Sequence, residues 1–128
     1  MKKLAEILQA ELEVVRDLLT VCRWEQEALV ADDIEALRAA VEKKGDLSRA
    51  LAALEEERRQ AARFEEADGT APDVLEELLD LLRQAVRDLQ EVNETNRLLA
   101  RQSLAYTRKV LALLVPEDKS PVLMDQLV

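Results

Sequence analysis

The chain has 128 residues, enough for one domain, and carries 27 acidic against 18 basic side chains, a formal charge of −9. That balance opposes nucleic-acid binding, which needs Lys and Arg to neutralise phosphate, and it disfavours an anionic membrane surface. Two Gly, three Pro and an abundance of Ala, Leu, Glu and Arg argue for long helices, while the absence of His removes the commonest general base and metal ligand.

Trp24, Phe64 and Tyr106 are the only aromatic residues, so the core must be aliphatic. Cys22 is the only cysteine; no internal disulfide can form, which fits a reducing compartment. No stretch reaches the ~18 consecutive apolar residues of a membrane span. Met1-Lys2-Lys3 is basic, but Glu6, Glu11 and Glu13 follow, which is not the text of a signal peptide.

Helix one is expected from about Lys2 to Val30. Ala5, Leu8, Leu12, Val15, Leu19, Cys22 and Leu29 form an apolar seam, widened by Leu4, Leu18 and Val21. Trp24 lies off the centre of that seam. Ala31-Asp32-Asp33 turns the chain, with Asp32 placed to cap the next helix and Glu35 at the capping-box distance from it.

Helix two is expected from about Ile34 to Glu66, on a seam of Ile34, Leu37, Val41, Leu47, Leu51 and Leu54. It is the weakest of the three. Gly45 costs about 1 kcal/mol relative to Ala in a helix interior and is a candidate break. From Glu55 to Glu66 apolar anchors nearly vanish, which predicts a solvated end laced by charge pairs. Residues 67–72 contain Gly69 and Pro72 and read as the loop, with Thr70 or Asp73 as the next N-cap.

Helix three, from about Asp73 to Val115, is the longest element and the one around which the others are expected to lie. At ~1.5 Å per residue it spans about 60 Å, so it needs other long helices beside it. Its seam is Leu75, Leu78, Leu82, Val86, Leu89, Asn96, Leu99, Tyr106, Val110 and Leu113. A second stripe appears in its far half at Ala100, Leu104, Leu111 and Val115, with Thr107 and Leu114 between the two. Together they exceed the ~100° arc that one core face needs. Either the first two helices bury both stripes, or part is left for the amphipathic helix of a partner. Pro116 ends the helix, and residues 116–128 are expected to form a mobile tail that still carries Val122, Leu123, Met124, Leu127 and Val128.

Candidate chemistry is sparse. There is no Gly-rich phosphate loop and no GxSxG. Cys22 lies on a seam without a His to activate it and reads as a buried structural thiol. Glu76, Glu77 and Asp80 lack the His of a carboxylate-bridged metal site and suit the positive end of a helix dipole instead. No cofactor or metal is expected. Asn93 and Asn96 interrupt the seam of helix three, and a polar residue there reads as a device that fixes register.

These features also carry a resemblance. The start from Leu4 to Leu29 ends in Glu25-Gln26-Glu27-Ala28-Leu29. Glu42-Lys43-Lys44 is followed by Leu47, Leu51, Leu54 and Glu56-Glu57-Arg58-Arg59. Asn93-x-x-Asn96-x-x-Leu99 precedes a helix closing in Leu113-Leu114-Val115-Pro116. In order and length the chain resembles the FlgN family, the cytoplasmic export chaperones of bacterial flagella. The resemblance implies a non-enzymatic chaperone that binds the helical C-terminal segments of hook–filament junction proteins, prevents early assembly and hands them to the export gate.

The family's substrate-binding part maps here onto Leu98, Leu104, Leu111, Leu114 and Val115. Its gate-docking tyrosine, followed by a small or acidic residue and glycine, maps onto Leu123-Met124-Asp125. Met124 stands in place of the tyrosine and the glycine is missing. The expected fold is all-α: three long helices in an antiparallel coiled-coil bundle over residues 1–115. The alternative function is a structural homodimer whose surplus stripe is buried against a second copy; a catalytic helical bundle is a third.

Overall fold

The computed structural model describes residues 3–63 and 71–114. It holds three helices, α1 (Leu4–Ala31), α2 (Ile34–Ala62) and α3 (Pro72–Leu114), and no strand among the described residues. Successive helices run antiparallel. Glu11 and Glu25 of α1 pair with Arg58 and Lys44 of α2, fourteen residues apart on each helix, so both ion pairs specify one register. α3 returns parallel to α1: Leu8, Leu12 and Val15 pack with Leu82 and Ala85, and Cys22 meets Asn96 further along. The result is the three-helix bundle read from the sequence, with a different centre.

That centre is α1. Ten of its residues are buried, against two in α2 and three in α3. The reason is in its text: apolar residues occupy two adjoining lines, one through Leu8, Leu12, Val15 and Cys22 and one through Ile7, Leu18 and Val21, so α1 can bury a wide arc against two neighbours. Fully burying each such Leu, Ile or Val contributes ~1.5–3 kcal/mol. α2 and α3 each lie along α1 but scarcely meet, and a furrow runs between them. The long α3 was the organising element expected from the sequence; length proved a poorer guide than breadth of apolar surface.

The turn differs in one residue from expectation. Asp32 closes α1 in the left-handed conformation (φ 53°), its N–H directed at the Ala28 and Leu29 carbonyls. Asp33 is the cap of α2, its carboxylate accepting from Ala36 N–H at 3.0 Å. The capping box from Asp32 to Glu35 therefore does not form. α2 runs unbroken through Gly45. Ile34 and Val41, expected on its seam, are 69% and 51% exposed, while Ala40 and Ala61 are buried.

The far part of α2 is solvated as expected, with Arg58–Glu55 and Arg59–Glu56 pairs spaced three residues apart. Trp24 is 54% exposed. Pro72 takes the first position of α3, and the Ala71 carbonyl accepts from Val74 and Leu75; Asp73 lies in the first turn rather than before it. Phe64, Glu66 and Thr70 fall outside the described residues, as does everything from Val115 onward.

Candidate partner-binding site

Two features of α3 bear on function, a polar clasp at its middle and an uncovered run beyond it. The clasp joins all three helices. Asn96, 3% exposed, donates through Nδ2 to the Cys22 carbonyl and to Glu25 Oε1, each at 2.8 Å. Lys44 Nζ donates to Glu25 Oε1 at 3.2 Å and to Asn93 Oδ1 at 2.7 Å. The buried Glu25 carboxylate thus meets a cation and an amide, the pairing a buried charge requires. Asn96 Oδ1 is buried without a hydrogen bond. Burial, ahead of the opposing effect of Lys44, raises the Cys22 thiol above its usual range, with Glu25 adding to the rise.

The clasp fixes how far α3 extends. α1 continues only six residues past Glu25, to Ala31, whereas α3 continues eighteen past Asn96, to Leu114. At ~1.5 Å per residue, α3 outruns the α1–α2 turn by roughly 18 Å. The face of α3 that carries Asn96 recurs at Ser103, Thr107 and Leu114, in steps of seven and four. Asn96 is buried, yet all three of those are exposed. The core-facing side of α3 therefore emerges into solvent beyond the end of its two partners.

Of the sequence-derived site residues, Leu104 and Leu111 flank this emerging face and are half-buried. Leu114 sits on it and is 76% exposed; Leu98 is 50% exposed on the opposite side of the helix. Val115, Leu123 and Met124 lie outside the described residues. Tyr106 and Leu113, read as core seam, are 70% and 87% exposed. The seam drifts because 3.6 residues per turn carries a seven-residue repeat around the helix, and Leu104 and Leu111, seven residues apart, lie together on the other side of the Asn96 line. Each stripe is partly covered: Leu99 and Val110 of the seam are half-buried, as are Leu104 and Leu111 of the second. Neither leucine is sealed beneath α1 and α2.

Sequence reading missed the two buried acids of α1. Leu4, Glu11, Leu18 and Glu25 recur at seven-residue intervals, as do Leu37, Lys44, Leu51 and Arg58 on α2. Those matched heptads, with acid on one helix and base on the other, were the available signal.

Among the described residues no group of three or more His, Cys, Asp or Glu is placed to hold a metal ion. No helix among them is long and apolar enough to cross a membrane. A family model described as FlgN protein matches residues 1–123. No curated protein matches the chain, and no solved structure does.

Proposed function

The chain belongs to the FlgN family of flagellar export chaperones, and from that premise we propose that it binds the amphipathic C-terminal helices of hook–filament junction proteins in the cytoplasm, without catalysis. The docking surface in this reading is the far end of α3, where Leu104 and Leu111 border the emerging core face and Leu114 sits on it; Leu98, on the opposite side of the helix, and Val115 are the other residues that the family resemblance assigns. A single observation carries the reading: Ser103, Thr107 and Leu114 continue the line of buried Asn96 and are exposed. An incoming helix laid there would complete a bundle that the chain leaves unfinished, burying an apolar stripe on each partner. Occupying the partner's own assembly helix would delay its polymerisation until release. Leu123 and Met124 are the residues proposed to touch the export gate.

The test is calorimetry with a junction-protein C-terminal peptide. Leu104→Glu with Leu111→Glu should abolish binding while circular dichroism keeps its helical signal. Undiminished affinity of that variant would remove the site.

A further inference from the structure

The furrow between α2 and α3 has a second character at its other end, near the start of α3. Two depressions there run into one another, and Arg58 and Leu79 line both. Their floor is apolar, built from Leu4, Leu8, Leu75, Leu82 and Val86. Their rims are basic. Arg58 and Arg59 stand on α2, Arg83 and Arg87 on α3, and Glu55 is the one acidic residue lining either depression. Four arginines around leucines are out of keeping with a chain of charge −9.

The arginines are available for exchange. Arg59 and Arg83 pair with Glu56 and Asp80 one turn away, at 3.3 and 3.1 Å, with all four side chains at least 60% exposed. Such pairs contribute at most about 1 kcal/mol each. Arg58 pairs likewise with Glu55, at 2.8 Å, and is held by a second acid besides. Buried Glu11 lies 3.5 Å beneath its Nε, so its guanidinium stays at the junction of the two depressions.

We propose that this end of the furrow is a second docking surface, distinct from the far end of α3. It takes an amphipathic helix whose Leu, Ile or Val seam is flanked by Asp and Glu. The apolar floor would seat the seam, and the arginines on both rims would meet the acidic flanks. Residues 75–87 of α3 span about 18 Å, so the bound segment is roughly twelve residues, a little over three turns. A site for a bare polyanion would have no use for a leucine floor.

Two synthetic helical peptides test this on the full chain: one leucine seam, with flanks of Glu in the first and Lys in the second, followed by fluorescence anisotropy. The Glu-flanked peptide should bind at least tenfold tighter, and Arg83→Glu with Arg87→Glu should invert the preference. Leu104→Glu with Leu111→Glu should leave it unchanged, which separates this surface from the proposed chaperone site. Equal affinity for the two peptides, or a preference that survives the arginine substitutions, overturns the proposal. So does a homodimer in sedimentation that Arg83→Glu with Arg87→Glu dissociates, since a second copy would then own the furrow. Binding that appears only after Glu65→Lys with Glu66→Lys overturns it too, assigning the furrow to the chain's own 64–70 segment.

Discussion

Across 2.8 Å, the side-chain amide of Asn96 donates to the carbonyl oxygen of Cys22, seventy-four residues earlier in the chain. The same nitrogen reaches Glu25. This link sets α3 against α1 at one height, and so decides how much of α3 is left beyond the turn. Slipping α3 by a helical turn would strand Glu25 without its amide donor inside the bundle.

Asn96→Ala should therefore lower the unfolding free energy by roughly 2 kcal/mol, the scale for removing a partner from buried hydrogen-bonding groups. Urea denaturation measures it. Combined with Glu25→Gln, the two losses should fall short of additive, because both remove the same bond. Full additivity would mean the clasp does not act as a unit.

Much of this was legible before any coordinates. Asn93 and Asn96 break an apolar seam, and a polar residue there reads as a register device because burial would otherwise penalise it. Its partners were not legible. Glu25 and Lys44 lie on other helices, and only the fold tells which heptad faces which. The turn was misplaced by one residue because Asp32 and Asp33 are chemically identical caps; the left-handed φ of Asp32 decides between them. Tyr106 and Leu113 were assigned to the core because periodicity marks an apolar face but does not say where the neighbouring helices stop. The same blindness hid the central place of α1, whose buried Glu11 and Glu25 interrupt its apolar lines.

Glu11 gives a prediction in pH. Burial, its largest influence, raises its carboxyl above the ordinary 4.5; Arg58 opposes this and Glu55 adds to it. A carboxyl with a raised folded value binds its proton more tightly in the folded chain. The stability it contributes is full below pH 4.5 and is lost as pH rises through the folded value. Glu11→Gln should gain on the unaltered chain as pH climbs from 4.5 toward neutrality. Urea midpoints of the two proteins, differenced at each pH, show it; a flat difference would contradict it.

Gly45 lies inside unbroken α2, where a Cβ would meet Arg49 Nη1 at 3.6 Å, an ordinary contact. Gly45→Ala should stabilise the protein by about 0.5–1 kcal/mol through helix propensity alone. Thermal melts should move up by a few degrees. A lower midpoint would mean that α2 needs glycine's freedom there.

Cys22 is wholly buried and its thiol is held protonated by that burial. An aromatic disulfide reagent should label it only through opening of the bundle, at a rate that rises with urea. Asn96→Ala should speed labelling, since it frees the Cys22 carbonyl from α3. Prompt labelling of the native chain would place the thiol at the surface.

The reading of α3 as an open half-site is tested most directly by methyl NMR of the leucines, titrated with a hook–filament junction C-terminal peptide. The expected result is shifts at Leu104, Leu111 and Leu114, with Leu8, Leu12 and Leu82 at the opposite end unmoved. Shifts confined to that opposite end, or none at saturating peptide, would contradict it.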